Sequence, residues 1–298
     1  MTAAPVRLAL ISEGMATTWP VYVAQSLRMF EHEGITVETT VTGSSVKQLD
    51  ALKAGEYDIG FQQADHVIRA VEQGSDLFIF MSTARAPELT LVGAPDVASF
   101  AALKGRGIAV DGARTGYALL LRKLLASKGL HDADYRFAEI GGSQERYDAM
   151  RSGKAAASLL NSPFDRRLLE SGYQSLGTTR QYFPGYPGPI AAARRSWAAS
   201  HGDELRAFIR AMRTASEWLR VPANRVQAIA ALPARLRVAP AVAADAYAQF
   251  AAHPVPEITH EGLEQVVSVV WDAEGYALPR GAPERYADMS YLSTGTHR

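Results

Sequence analysis

One phrase occurs twice in this chain. Residues 43–55 read GSSVKQLDALKAG, and residues 141–153 read GGSQERYDAMRSG. When the second phrase is placed on the first, a shift of 98 positions, Ser, Asp and Ala fall on Ser, Asp and Ala, and both phrases end in Gly. The same shift places EQG ending at Gly74 on ESG ending at Gly172. Agreement at a fixed offset indicates a duplicated structural unit, and this offset is too long for a solenoid repeat. The sequence therefore predicts two similar lobes.

Short runs rich in β-branched and aromatic residues alternate with amphipathic helical stretches in both copies. Strands connected by helices of this length predict βαβ crossovers and a parallel sheet in each lobe. A further strand, PIAAARR, is expected to return the chain to the first lobe, and helices are predicted over 203–220, 225–252 and 262–275. The predicted strands lie at 6–11, 35–41, 57–61 and 77–84 in the first copy and at 107–112, 135–140 and 155–160 in the second.

The two copies define the expected domain organisation. We predict lobe 1 from residues 1–85 together with 190–298, which include the C-terminal helices, and lobe 2 from residues 86–189. The chain would cross between the lobes near residues 83–90 and again near 186–192. Of the 298 residues, 47% are hydrophobic and 21% are charged, which provides enough apolar material for two packed cores and carries no signature of disorder.

Charge, cysteine content and the N-terminus limit the function classes. Lys plus Arg and Asp plus Glu both number 31, so no field of one sign indicates nucleic-acid or anionic-membrane binding. The absence of cysteine excludes disulfides, a thiol nucleophile and cysteine-ligated metals. The stretch MTAAPVRLALISEG has a short apolar run with no basic segment before it, which predicts a strand and neither a signal peptide nor a membrane anchor. A periplasmic location therefore requires that an export signal has been removed or omitted; otherwise we expect a cytoplasmic protein.

The loops at the carboxyl ends of the strands are the expected functional site. Ligands of open α/β sheets bind there, where unpaired N–H groups and the helix dipole favour acceptor or anionic groups. Two lobes that present such loops are typical of a ligand-binding cleft that closes by hinge motion. The loops are 12–19, 42–45, 62–66 and 83–85 in lobe 1, and 111–117, 141–144 and 161–164 in lobe 2.

Trp19 and Arg114 are informative residues of these loops. Trp19 stands at the entrance of the first predicted helix, where its ring either walls a flat ligand or packs beneath the loop. Arg114 precedes Thr115 at a helix start, where the dipole disfavours a cation, so we expect it to be aimed at an anionic ligand such as a carboxylate or sulfonate. Thr115 and Gly116 also have a structural interpretation, as an N-cap and a close-packing residue.

Amide side chains occupy equivalent places in the two copies, since Gln63 and Asn161 are also 98 positions apart. An amide offers a donor and an acceptor, which suits a polar ligand of either charge. Asp65 either binds a ligand amine or caps a helix. His66 is a lone histidine near a helix start and is expected to be structural or solvated. In QYFPGYPGP, Tyr186 either stacks on the ligand or belongs to a rigid turn.

The sequence carries no catalytic signature. No Ser-His-Asp order, histidine-rich metal spacing or carboxylate pair stands out, and DGARTG matches neither a Walker loop nor a dinucleotide fingerprint. We therefore predict no catalytic residue, no metal site and no cofactor.

Three stretches resemble a known family. They are WPVYVAQSLRMFEHEGITVE, LDALKAGEYDIGFQQAD and LKGRGIAVDGARTGYALLLRKLLASKGL. Their order and character are similar to those of the substrate-binding proteins of ABC importers of the nitrate, sulfonate and taurine type, which share a clan with the NMT1/THI5-like thiamine-pyrimidine precursor group. The resemblance covers about residues 6–220. It implies the type 2 periplasmic binding protein fold, in which two similar α/β lobes are joined by two crossings with a ligand cleft between them.

The resemblance also implies a function and a set of site residues. We expect a monomer that captures a small organic anion or heteroaromatic compound (sulfonate, carboxylate or pyrimidine-like) by hinge closure and delivers it to an ABC permease and its ATPase. We expect neither nucleic-acid binding nor membrane insertion. With the family's positions carried over, the expected ligand-binding residues are Met15, Thr17, Trp19, Gly43, Ser44, Gln63, Asp65, Arg85, Arg114, Thr115, Tyr117, Asn161, Phe164 and Tyr186.

The chain departs from the family in three respects. It begins without an export signal, it reads GKAA at 153–156 where the family usually has an Asp, and it lacks the cysteine-rich motif of the pyrimidine synthases. The last departure removes that enzymatic activity. The first leaves an alternative open, a cytoplasmic decarboxylase or lyase on the same fold, with His66 and Asp65 or Asp111 as acid–base candidates. A ligand-sensing regulatory domain is not expected, because no DNA-binding segment flanks the lobes.

Overall fold

The chain divides into two compact units. A computed structural model describes residues 4–11, 15–161, 164–236, 240–251, 254–255 and 257–292, without the side chains of 15–17, 231–236, 242, 245, 246 and 249. The first unit comprises Met1–Arg85, Pro187–Ile258 and Gly281–Arg298, and the second comprises Ala86–Tyr186 and Thr259–Arg280. This division differs from the predicted lobes chiefly in Thr259–Arg280, which packs with the second unit and not with lobe 1.

The first unit contains a five-stranded sheet with helices on it. Its strands are β1 (Val6–Leu10), β2 (Val37–Val41), β3 (Ile59–Gln62), β4 (Leu77–Ser82) and β10 (Ile190–Arg194). They lie in the order β2-β1-β3-β10-β4, and β10 is antiparallel to both of its neighbours. The helices are α1 (Met15–Ser26), α2 (Met29–His32), α3 (Ser45–Ala54), α4 (Ala64–Glu72), α9 (Arg195–Ser200), α10 (Gly202–Arg220), α11 (Arg225–Leu236) and α12 (Pro240–Ala251).

The second unit repeats this arrangement. Its strands are β5 (Thr90–Gly93), β6 (Gly107–Val110), β7 (Arg136–Glu139), β8 (Ala157–Leu160) and β9 (Gln174–Thr178), in the order β7-β6-β8-β5-β9. Its helices are α5 (Gly116–Ser127), α6 (Ser143–Arg151), α7 (Phe164–Glu170), α8 (Thr179–Tyr182) and α13 (His260–Glu274). Strand β5 is antiparallel to both β8 and β9, as β10 is to its neighbours in the first sheet.

The duplication predicted from the sequence is confirmed. Strands β3 and β8 are offset by the same 98 positions as the repeated phrases, and both phrases form a loop followed by a helix, α3 or α6. The phrases end in glycine for the same reason, since Gly55 (φ 84°) and Gly153 (φ 73°) both adopt the left-handed conformation that follows a helix. The glycine at the end of each phrase therefore reflects the same backbone conformation in both copies.

The prediction of purely parallel sheets is wrong, because each sheet is mixed. Strands β5 and β9 also lie outside the strands predicted from the sequence. A parallel neighbour must be connected through a crossover helix, which sets the direction of the strand. Strands β5 and β10 each enter their sheet from an element of the other unit, so this constraint does not apply to them. Two α/β units with matching mixed sheets constitute the predicted fold class.

The C-terminal segment returns to the first unit and covers the edge of its sheet. The amide of Ile79 in β4 donates to the carbonyl of Tyr286 at 2.8 Å, and the amide of Asp288 donates to the carbonyl of Ile79 at 2.9 Å. Tyr286 is fully buried, and its hydroxyl donates to Glu72 at 2.8 Å. These two bonds occupy the outward N–H and C=O of Ile79 in the edge strand β4. In the part of the chain that the structure describes, no helix is long and apolar enough to cross a membrane.

Candidate functional site

In the first unit, the loops after β2 and β3 meet at the carboxyl edge of the sheet. Gln62, the last residue of β3, is buried, and its amide nitrogen donates to the carbonyl of Ser45 at 2.9 Å. Its amide oxygen lies 2.8 Å from Nδ1 of His66 in α4. Because the nitrogen of Gln62 faces a carbonyl, its oxygen must face the imidazole, and Nδ1 must carry a proton in order to donate to it. The neutral form of His66 therefore presents Nε2 as an acceptor.

His66 is thus an oriented imidazole at this edge, although the sequence suggested a structural or solvated residue. Its side chain is 23% exposed, and Nε2 lies 3.9 Å from the carboxylate of Asp65. Asp65 is buried and ion-paired with Arg69, one helical turn away on the same face of α4. Its carboxylate therefore neither caps the helix nor faces outward to a ligand amine, the two roles that the sequence suggested.

Four other predicted residues of this unit also lie at the carboxyl edge. Gly43 donates its amide to the carbonyl of Ile11 at 2.9 Å, and the hydroxyl of Ser44 caps α3 by accepting from the amide of Lys47 at 3.3 Å. Gln63 is half-buried before α4, and Arg85 is half-buried after β4. Within the described residues, the side chains of Gln63 and Arg85 form no hydrogen bond or ion pair, so their polar groups remain available.

The interpretation of Trp19 as a pocket wall is wrong. Its ring is 1% exposed and packs in the core against Tyr247, at 5.9 Å between ring centroids, and against Phe250, at 6.2 Å. The physical reason is the start of α1, which begins at Met15 and not after Trp19. Trp19 is therefore a helical residue on the buried face of α1. The side chains of Met15 and Thr17, also predicted to bind ligand, lie outside the described part of the chain.

In the second unit, Arg114 is not aimed at a free anion site. Its side chain is 77% exposed, and its guanidinium lies 3.0 Å from both carboxylate oxygens of Glu274. Glu274 ends α13, which packs beside α5 and was assigned by the sequence to the other lobe. The expected anionic partner of Arg114 is therefore a carboxylate of the chain itself. Thr115 has the structural role, since it caps α5 by accepting from Ala118 at 3.4 Å and donates to Asp111 at 2.7 Å.

Arg146 in α6 is a buried cation at the carboxyl edge of the second sheet. It is 9% exposed, and its guanidinium donates to the carbonyls of Gly141 (2.5 Å) and Leu159 (3.4 Å) and to the hydroxyl of Ser143 (3.2 Å). All three acceptors are uncharged, and Arg146 forms no ion pair with any described residue. Burial lowers the pKa of this guanidinium below its usual range, against the opposing influence of the carboxylates of Asp111 and Glu145.

The remaining predicted residues of this unit are partly packed. Phe164 packs against Tyr147 at 5.6 Å, and Tyr186 packs against Phe183 at 6.4 Å. Tyr117 is half-buried among the leucines of α5. Asn161 follows β8, where its carbonyl accepts from the amide of Phe164 at 3.0 Å. These four residues lie at or near the carboxyl edge with partly exposed side chains.

The segment of the first copy that corresponds to GKAA at 153–156 ends in an acid, Asp58. At the position equivalent to Ala156, Asp58 is buried and accepts from the amide and the Nε of Arg7 at 2.9 and 3.0 Å. The first copy thus uses this acid to hold the start of β1.

Sequence reasoning missed Arg146, although a signal for it was present. Positions 146, 149 and 150 are spaced as one face of a helix, and Ala149 and Met150 mark that face as buried. The equivalent position in the first copy is Gln48, which is also fully buried. A charge at a buried position of a duplicated helix is the pattern that distinguishes Arg146 from a surface arginine. Among the described residues, no group of three or more His, Asp and Glu side chains is placed to hold a metal ion.

Comparison with known proteins identifies relatives by family and by fold. Residues 3–233 match the NMT1-like family. The putative sulfonate-binding protein SsuA of an ABC transporter from Methylobacillus flagellatus KT superposes with a TM-score of 0.76 at 16% identity, over 98% of this chain and 93% of that chain. The aliphatic sulphonate-binding protein SsuA from Escherichia coli gives 0.72 at 18% identity, over 95% and 91%.

A further structure is that of a ligand complex. The alkanesulfonate-binding protein SsuA from Xanthomonas axonopodis pv. citri, bound to MOPS, superposes with a TM-score of 0.67 at 19% identity, over 96% of this chain and 99% of that chain. No curated protein sequence matches this chain. At these identities the solved structures show a shared fold.

Proposed function

Because the chain belongs to the NMT1-like family, we propose that it is a solute-binding protein that captures a small organic anion or an acidic heteroaromatic compound for an ABC importer. The proteins with similar folds are sulfonate-binding components of such importers, which supports this proposal. The partners would be a permease and its ATPase, and the protein would act as a monomer in the periplasm. The ligand would be a sulfonate, a carboxylate or a pyrimidine-like acid.

The observation that supports an anionic ligand is the buried side chain of Arg146. The guanidinium is buried, its hydrogen bonds all go to uncharged acceptors, and it forms no ion pair with a described residue, at the edge of the sheet where ligands of α/β proteins bind. Burying an unpaired charge is costly, so an anion close to it gains more than it would at the surface. Among the residues predicted from the sequence, Gln63 and Arg85 in the first unit have available polar groups.

The proposal is tested by calorimetry with matched ligands. Wild-type protein is titrated with a sulfonate, a carboxylate and a pyrimidine carboxylate, and with the corresponding alcohol, amine and uncharged pyrimidine. A charge-assisted hydrogen bond is worth about 1.5–3 kcal/mol, so we expect the best anion to bind roughly ten- to a hundredfold more tightly than its neutral counterpart. Equal affinity for charged and neutral members of a pair would contradict the proposal.

Two arginine variants locate the charge. Arg146→Gln should weaken the best anion by about tenfold or more, whereas Arg114→Gln should leave it unchanged, because Glu274 already pairs with Arg114. Arg146→Lys retains both the positive charge and a long side chain, so it separates the effect of losing the charge from the effect of shortening the side chain. Melting temperatures measured in parallel separate a loss of binding from a loss of fold.

A second candidate function rests on the orientation of His66. An imidazole with Nδ1 held by Gln62 and Nε2 left as acceptor is arranged as a proton acceptor, which a decarboxylase or lyase on this fold would need. Incubation of the best ligand with stoichiometric protein, followed by mass spectrometry, distinguishes the two functions. Binding without conversion supports transport, and conversion that is lost in His66→Gln supports the enzyme.

A further inference from the structure

A cavity of about 230 Å³ lies in the first unit at the carboxyl end of β4. Met81, Ser82 and Thr83 form one side of it, and Met212 and Ser216 of α10 form another. Strand β10 lies between β3 and β4, so the cavity is two strands away from Gln62. None of the residues that carry the proposed function lines it.

Two buried residues beside this cavity carry hydroxyls that have no hydrogen-bond partner among the described residues. Thr83 is 1% exposed, and its Oγ1 forms no hydrogen bond with any described residue. Ser82 is also buried, and in the described part of the chain its hydroxyl forms no hydrogen bond. A buried hydroxyl without a partner destabilises a fold, and in most proteins such a group is satisfied by the protein or by a bound molecule. The cavity is therefore built for a polar occupant.

The charged residues of the cavity favour an anion. Arg213 donates to the carbonyl of Leu292 at 2.8 Å, and its second nitrogen lies 3.5 Å from Glu257. The side chain of Arg213 is 36% exposed and that of Glu257 is 79% exposed, so the cation lies deeper than its acidic neighbour. Arg220 lines the same cavity and forms no ion pair with a described residue. Arg220, Glu217 and Glu257 are all exposed, so Arg213 is the charged side chain that lies deepest in the cavity.

Size and lining limit the rest of the occupant. A water molecule takes about 30 Å³ of liquid volume, so the cavity accommodates roughly the volume of seven waters, which is a molecule of a few carbon atoms. Met81, Met212 and Val255 provide an apolar wall. Methionine side chains adapt to irregular apolar groups.

We propose that this cavity is a second binding site, separate from the site of the proposed function, and that it takes a short-chain monocarboxylate. The carboxylate oxygens accept from the hydroxyls of Ser82 and Thr83 and from the guanidinium of Arg213. The short alkyl chain lies against Met81 and Met212. A planar carboxylate matches the donor geometry of a guanidinium, and the two hydroxyls satisfy the oxygen atoms that the guanidinium leaves free.

The test uses butyrate with butanol and butylamine as matched neutral and cationic controls. We expect millimolar butyrate to raise the melting temperature of the wild-type protein and to bind in calorimetry, and we expect the two controls to do neither. Thr83→Val removes the hydroxyl at constant shape. The unliganded variant should be at least as stable as the wild-type protein, because the substitution removes an unsatisfied buried group. Its affinity for butyrate should be about tenfold lower.

Two further variants keep the test decisive. Ser82→Ala provides the same measurement if Thr83→Val fails to fold. Arg146→Gln removes the charge proposed to bind anions at the other site, so butyrate binding that persists in this variant belongs to the cavity, and loss of all butyrate binding in it would assign butyrate to the other site and overturn the inference. Equal stabilisation by butyrate, butanol and butylamine overturns the inference. So does unchanged butyrate affinity in both hydroxyl variants.

Discussion

The environment of Trp19 decides whether this residue contributes to ligand affinity or to stability. A pocket-wall tryptophan contributes to affinity, whereas a core tryptophan contributes to stability. Because the ring of Trp19 is buried against Tyr247 and Phe250, we expect Trp19→Ala to lower the free energy of unfolding by about 3–5 kcal/mol. Urea denaturation measures this loss. The remaining folded protein should bind ligand with wild-type affinity, and a variant of normal stability with weakened binding would return Trp19 to the site.

The tautomer of His66 can be measured directly. If Gln62 is oriented by the carbonyl of Ser45, neutral His66 carries its proton on Nδ1 and leaves Nε2 unprotonated. Long-range ¹H–¹⁵N correlation spectra report which imidazole nitrogen is protonated. A proton on Nε2 of His66 would mean that the amide of Gln62 is turned, and His66 would then offer the ligand a donor.

At the level of helices, the two copies of the repeat offer a matched pair of substitutions. Gly55 and Gly153 both follow a helix with positive φ, so alanine at either position costs about 1–2 kcal/mol of backbone strain. A Cβ at Gly55 would also approach the guanidinium of Arg194 to 3.0 Å, whereas one at Gly153 would meet nothing within 4 Å. We therefore expect Gly55→Ala to destabilise the protein more than Gly153→Ala.

Chemical denaturation of the two variants checks this difference. Equal losses would show that Arg194 moves aside without cost. A larger loss for Gly153→Ala would contradict the equivalence of the two helix ends, because it would require a contact at Gly153 that is absent at Gly55.

For the whole molecule, the prediction that remains open is hinge closure. A ligand that contacts both units of a solute-binding protein stabilises a closed form at the expense of an open one. Small-angle scattering with the best anion at saturation should therefore show a smaller radius of gyration than the free protein. The same scattering measurement on Arg146→Gln, in which that anion should bind weakly, is the control for non-specific effects of added acid. An unchanged scattering curve at saturating anion would contradict closure and leave the binding result intact.

The sequence by itself determined the duplicated α/β architecture. Local periodicity predicts the alternation of strands and helices. The ends of α3 and α6 are predicted by Gly55 and Gly153, because the backbone after each helix is left-handed. The offset of 98 alone pairs equivalent positions of β2 with β7 and of β3 with β8, whereas equivalent positions of β1 and β6, such as Leu8 and Ile108, are 100 apart. The direction of β5 and β10 could not be predicted, because each strand enters from the other unit and no neighbouring segment of the sequence indicates which strand it will pair with.

The site was decided mainly by tertiary structure. Arg114 and Glu274 are 160 positions apart, so no local pattern relates them, yet their contact changes Arg114 from a ligand group to half of an ion pair. Trp19 is in the core because α1 begins four residues earlier, and Arg146 is buried because α6 turns that face to the sheet. Helix boundaries and long-range contacts place a side chain, and they depend on packing that the local sequence does not contain.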